Sequence, residues 1–422
     1  MSMQWSEQWS MSGVRLAETN SVAPQAPQVP SAVPVWIGWL EQKVDSDSNP
    51  NDLPHSQLVR LTTIDDWPWK QQQEQQPLYR SVRHYFNNGG DLCYVYMLRM
   101  QSEPTLEQLK AVLGNPQTYE PIVNQTDITL VAVPQLVQAM ELPTMAAEPA
   151  GAALLGTAAQ SYIDLWRNLL SACQERPDWF FVLDAPRDMA LAQACLDALR
   201  GSHALGERGQ HAALYGPHLV TDYEDGPPVL PPSGAVVGMM VRTDRERGVW
   251  SAPANEALVR VVRTECHESG AQQWFSATAP SINLIRRFPG RGVRVWGCRT
   301  LAGTTAGPFR YVQIRRLLTY VQTSLTQLCQ FAVFEPNEPM TWFKLKSVVS
   351  AWLHELWQLG GLAGGREEQA FEVHVGLGES MTAHDVITGQ LRIKVRLAVL
   401  HAAEFVEIQL RLDQQAAIEQ AA

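Results

Sequence analysis

Cysteine is scarce and scattered in this sequence. The six residues, Cys93, Cys173, Cys195, Cys266, Cys298 and Cys329, form no CxxC pair, which argues against both a disulfide framework and a cysteine-ligated zinc site. No apolar run approaches the roughly eighteen residues that a membrane-spanning helix needs. The opening MSMQWSEQWSMSG has neither the basic start nor the apolar stretch of a signal peptide. The expectation is synthesis in the cytoplasm, a reducing compartment and no direct membrane insertion. There is no GxxxxGK[ST] loop, and Gly376-Leu377-Gly378-Glu379 is too short to cradle a dinucleotide. A net charge of -10 and a pI near 5.5 argue against a general nucleic-acid binder. The most informative absence is local: residues 281–316 contain no Asp or Glu at all.

That same stretch, SINLIRRFPGRGVRVWGCRTLAGTTAGPFRYVQIRR, carries eight arginines. Such a block needs anions, and three sources are open: phosphates, carboxylates of the same fold, or carboxylates of a neighbouring subunit. Nucleic acid would usually bring lysines and a recognisable module. Internal bridging could take some of the eight arginines, hardly all of them. Catalytic signatures fail on particular residues. His354-Glu355-Leu356-Trp357-Gln358 starts like a zinc-protease helix, but Gln358 stands where the second histidine should be. Cys266-His267-Glu268 places a thiol beside an imidazole in sequence only, with nothing to orient the pair. No catalytic, cofactor or metal-binding residue is assigned, and no enzyme is expected.

Along the chain, Gly13–Glu18 reads as a short strand followed by a Pro- and Ala-rich linker. Apolar runs predict strands at Val35–Leu40, Leu92–Leu98, Ile128–Val133, Trp179–Leu183 and Ala212–Tyr215. Helical patterns fall between them at Leu78–Phe86, Ala158–Cys173 and Met189–Leu199. This rhythm predicts an α/β layer with a mainly parallel sheet. Pro227–Gly234 reads as an irregular crossing toward a second body. There, helices carrying Ile314, Leu317, Val321 and Leu328, and Leu345, Val349, Trp352 and Leu356, should pack on the strand Leu391–Val399. A last strand, Phe405–Leu412, precedes a polar tail. The fourteen tryptophans point to extensive burial or interface use.

Read in order, SAVPVWIGWLEQ, LYRSVRHYFNNGGDLCYVYML, RPDWFFVLDAPRD, PPSGAVVGMMVRTDRERGVWSAPAN, INLIRRFPGRGVRVWGCRTL and MTAHDVITGQLRIKVRLAVLHAAEFVEIQL resemble successive stretches of the contractile tail sheath family. That family spans phage tails, R-type pyocins and extracellular contractile injection systems. The amino-terminal GVRLAE lacks the Pro-Gly-Val-Tyr start common in the family. The resemblance implies a structural subunit that polymerises helically around an inner tube and contracts to drive the tube through a target envelope. The implied fold is α/β and α+β: an outer subtilisin-like α/β domain (35–250), an inner carboxy-terminal sheath domain (251–400), an N-terminal arm and linker (1–34) and a C-terminal arm (401–422). Implied partners are further copies and paralogues of the chain, the inner tube, baseplate and terminator or cap proteins. Neither nucleic acid nor cofactor is implied, and the particle could be released from the cell. Expected subunit-interface residues are Val14 and Leu16, Arg286, Arg287, Arg294, Arg299, Arg315 and Arg316, and Val406, Ile408 and Leu410. The two lysines Lys344 and Lys346 are expected to face the tube. A subtilisin-fold hydrolase and a nucleic-acid-binding protein are the alternatives.

Overall fold

The computed structural model describes residues 29–41, 56–70, 76–100, 104–137, 149–202, 204–224, 229–266, 271–302, 307, 309–333 and 335–400. Its centre is an eight-stranded sheet ordered β11-β10-β6-β5-β4-β1-β3-β2. The strands are β1 (Pro34–Glu41), β2 (Gln57–Leu61), β3 (Cys93–Met100), β4 (Leu130–Ala132), β5 (Phe180–Asp184), β6 (Ala212–Gly216), β10 (Ile282–Phe288) and β11 (Gly292–Trp296). Every pairing from β10 to β3 is parallel, and only the edge strands β2 and β11 run antiparallel. The inner strands are predominantly apolar because both faces are covered. In β3, Tyr94, Tyr96 and Leu98 point into one core while Cys93, Val95 and Met97 point into the other.

Helices α2 (Leu106–Gly114), α4 (Pro149–Leu169) and α5 (Met189–Ser202) supply the first core; α3 (Glu120–Val123) is a single turn beside it. The second core is supplied by α1 (Pro77–Asn87) and α6 (Ser233–Arg247). A small antiparallel sheet, β8-β7-β9, is built from β7 (Leu219–Thr221), β8 (Val229–Leu230) and β9 (Val261–Thr264).

Two expectations are corrected here. The described part of the expected crossing, residues 229–234, does not lead away from the first body. Pro232 caps α6, whose first nine residues are all buried against α1 and the sheet. Gly234 and Gly238 make this approach possible, since a Cβ at either would fall 2.5 Å from the Ser81 carbonyl oxygen or 2.4 Å from that of Tyr85. The expected boundary at 250/251 is also crossed. The β10–β11 hairpin completes the first sheet because Ile285, Val293 and Val295 fill the same core as α6.

The carboxy-terminal module has a separate core. The helices α7 (Val312–Leu328) and α8 (Pro339–Gln358) contribute Leu317, Val321, Leu345, Val349, Trp352 and Leu353. They pack against β12 (Phe371–Val375) and β13 (Ile393–Leu397), with α9 (Glu367–Ala370) and α10 (Ala383–Ile387) as short connecting turns. The amphipathic spacing of both helices and the alternation in β13 match expectation. Gly13–Glu18 and Phe405–Leu412 lie outside the described residues, and with them Val14, Leu16, Val406, Ile408 and Leu410.

Candidate assembly surfaces

Open α/β sheets usually bind ligands where strand order reverses, here between β1 and β4. That crevice is filled. Gln135, just after β4, accepts from the Trp39 amide at 2.8 Å and donates to its carbonyl at 3.2 Å. A Cβ on the neighbouring Gly38 would meet Gln135 Oε1 and Leu78. Side-chain amide and apolar packing thus occupy the usual cofactor position.

Buried polar groups at the strand ends serve the fold. The Ser233 amide at the start of α6 donates to Asp184 Oδ1 at 2.6 Å. Burial nevertheless pushes the Asp184 carboxyl up to about 7, against the opposing effect of its bonds to Ser233. Buried His218 lies 3.0 Å from the Ala185 carbonyl through Nε2, and burial drives its imidazole down to about 4. His354 Nδ1 lies 2.9 Å from Glu367, and among the described residues no group of three His, Cys, Asp or Glu is placed to hold a metal. Cys266 is half-buried with its thiol raised mainly by that burial, while His267 lies outside the described residues.

The arginines divide into two groups. Arg299 and Arg316 are buried within their own chain, which corrects their expected place at an interface. Arg299 donates to the carbonyls of Ser276 and Ala277 and stacks near Phe275 and Tyr311. The bidentate partner of Arg316 is Asp244, a carboxylate that local sequence could not reveal. Arg315 is half-buried, donating to Thr319 Oγ1 and lying over Phe309.

The hairpin arginines sit differently. Register places Arg286 opposite Arg294 on the face turned away from the core, with Phe288 and Trp296 beside them at a ring separation of 4.7 Å. Arg286 lies over Phe288, while Arg294 donates to the Arg291 and Asn255 carbonyls. Arg287 and Arg291 are exposed near the turn, where Gly290 and Gly292 take positive φ of 70° and 75°. Strand alternation therefore converts a charge-rich stretch into a buried apolar face and a basic, aromatic outer face.

In the carboxy-terminal module the two-stranded sheet is the distinctive feature. Strands β12 and β13 pair from Phe371↔Leu397 to Val375↔Ile393, and neither pairs with another strand among the described residues. Phe371, Val373 and Val375 are buried against α8, whereas Glu372 pairs with Arg396 on the opposite face at 3.1 Å. Lys346 bonds Glu379 at 3.2 Å, and Lys344 is exposed one turn into α8. Sequence reasoning missed their apolar neighbours: Phe331, Val333, Met340 and Phe343 are all exposed, Phe343 by 70%. Their signal was positional, because Met340, Phe343 and Lys344 fall off the stripe made by Leu345, Val349 and Trp352.

Among the described residues, the β12–β13 sheet has no further strand on either side and the β10–β11 hairpin presents a basic outer face. Residues 304–412 match the family model for the phage tail sheath C-terminal domain. The tail sheath protein of Vibrio phage KVP40 is 25% identical over 142 residues, 33% of this chain and 21% of that protein. Its counterpart in Enterobacteria phage T4 is 25% identical over 156 residues, 36% of this chain and 24% of that protein. The match thus spans about a fifth to a quarter of these curated relatives. Solved structures extend the likeness to nearly the whole chain. A chain of the anti-feeding prophage baseplate in its contracted state is 33% identical with a TM-score of 0.78, covering 97% of this chain and 100% of that one. A chain of the contracted PVC sheath complex, an extracellular contractile injection system, is 28% identical with a TM-score of 0.68 and the same coverage. A chain of the contracted helical sheath of the anti-feeding prophage is 26% identical with a TM-score of 0.67, covering 96% and 100%. The chain belongs to the contractile tail sheath family.

Proposed function

We propose that this sheath subunit polymerises helically around an inner tube through strand exchange, and that contraction of the polymer drives the tube forward. The observation that carries this reading is the β12–β13 sheet with no further strand on either outer edge among the described residues. A row of unsatisfied backbone donors and acceptors invites another strand, and a regulated partner prevents unregulated aggregation. The segments Gly13–Glu18 and Phe405–Leu412 have the alternating pattern of such strands and serve as arms to neighbouring copies. At about 1 kcal/mol net per hydrogen bond, four or five bonds give a link of several kcal/mol. Stored energy would reside in metastable packing between subunits, so no nucleotide is needed.

The three-layer body takes the outer, subtilisin-like position in this reading, and the carboxy-terminal module faces the tube. Lys344 and Lys346 contact the tube together with the exposed Met340 and Phe343. Arg286, Arg287 and Arg294 meet carboxylates of adjacent copies, and baseplate and cap proteins bind the ends of the polymer. Likeness to injection-system sheaths over almost the full chain favours a released, phage-tail-like particle, with synthesis in the cytoplasm. Electron microscopy of the purified protein tests the assembly: striated helical tubes are expected, whereas a monodisperse monomer under all conditions would overturn it.

A further inference from the structure

The linker entering β1 is gripped by a buried ion pair. Ser31 donates its hydroxyl to Asp244 Oδ2 at 2.6 Å, and its carbonyl accepts from Arg316 Nη2 at 3.1 Å. Arg316 holds Asp244 through both oxygens, at 3.0 Å to Oδ1 and 2.6 Å to Oδ2. Thr129 adds a second tie, donating to the Ser31 carbonyl at 3.1 Å and accepting from the Val33 amide at 2.9 Å. Three separate parts of the chain converge here: the linker, the last half of α6 and the start of α7. One belongs to the sheet body and another to the carboxy-terminal module, and the linker leads directly into the N-terminal segment.

Bidentate geometry and near-complete burial make this contact stiff. Breaking it leaves a buried charge without its partner, so the contact strongly resists opening. Opening would release Ser31, roughly 3.5 Å of chain, while Val33 stays tied through its carbonyl to the Thr129 and Leu130 amides at 2.9 and 3.1 Å. That slack shifts the point from which the N-terminal segment leaves the body.

We propose that the Ser31–Asp244–Arg316 clamp fixes where the N-terminal segment departs, so that pull along this segment reaches the junction of α6 and α7 instead of fraying the linker. The proposal rests on the reading that the N-terminal segment joins a neighbouring copy. The clamp is then a built-in stop that sets subunit spacing in the polymer.

Hydrogen exchange of the full-length chain and cryo-electron microscopy of assembled particles test it together. The informative variant is Ser31→Ala, which removes the linker hydroxyl and leaves the Arg316–Asp244 pair in place; Asp244→Asn is the stronger second variant. In Ser31→Ala the amides of Ser31 and Ala32 should exchange about tenfold faster, with Val33, held by Thr129, and β1 unchanged. Particles built from it should show shifted or broadened subunit spacing. Unchanged exchange at these two amides in both variants, or faster exchange with native spacing, overturns the proposal. If a chain lacking residues 1–20 still polymerises normally, strand joining by this segment falls, while the exchange result still judges the clamp.

Discussion

Arg316 and Asp244 stand 72 positions apart and meet at 2.6 Å with side chains only 3% and 4% exposed. The guanidinium ties α7 of the carboxy-terminal module to α6 of the sheet body. Desolvating two charges is costly, and the bidentate bonds offset that cost only while both partners remain. Arg316→Met should therefore destabilise the monomer by about 3–5 kcal/mol. Adding Asp244→Leu to it should recover much of the loss. Urea unfolding of the single and double variants checks this, and equal losses in both would contradict an ion-pair origin.

Close helix packing makes a second prediction. A Cβ on Gly238 would sit 2.4 Å from the Tyr85 carbonyl oxygen and 2.9 Å from the Asn88 Cβ. Alanine improves helix propensity by about 1 kcal/mol, but backbone cannot yield as a flexible side chain can. Gly238→Ala should lower stability by about 1–3 kcal/mol. A raised Tm would show that α1 and α6 can separate without penalty.

Asp184 gives a pH dependence of definite sign. Its folded carboxyl is raised to about 7 from 3.8, chiefly by burial, so the folded state holds the proton more tightly than the unfolded state. Its contribution is fullest below the unfolded value and is lost as pH rises through about 7. Asp184→Asn can still accept the Ser233 amide bond and never ionises. The difference in Tm between variant and parent should move in the variant's favour from pH 5 to pH 8. A difference independent of pH would mean that Asp184 is not held protonated by its surroundings.

The strands of the sheet were legible because burial on both faces leaves plain apolar runs, as in Phe180, Phe181, Val182 and Leu183. The helices α7 and α8 announced themselves through one-sided burial. By contrast, α6 carries no periodic signal over Ser233–Val241, since every side of it is covered. The hairpin was visible as charge and not as structure: alternate residues Ile285, Val293 and Val295 were overshadowed by the arginines between them. Arg287 and Arg316 look alike in sequence. Only the fold brings Asp244 to one and leaves the other near an exposed turn, so a list of interface arginines drawn from charge alone included two that the core retains.

The two consecutive arginines of β10 yield an assembly prediction, Arg286 on the outer face and Arg287 exposed at the strand's turn end. Reversing Arg286 and Arg287 to Glu should leave the monomer folded, because the strand's core contact is made by Ile285. Assembly should fail, since charge-assisted bonds at an interface contribute about 1.5–3 kcal/mol each. Circular dichroism and sedimentation of the double variant read the two effects separately. Normal sheath formation would remove these residues from the interface.

Strand exchange is the claim on which the account turns, and deleting residues 1–20 tests it most directly. The truncated chain retains the linker from Ser21 onward and every described element, from β1 through β13. Sedimentation and electron microscopy should find a folded, soluble monomer that builds no helical polymer. Full-length contractile sheaths from the truncated chain would contradict the account.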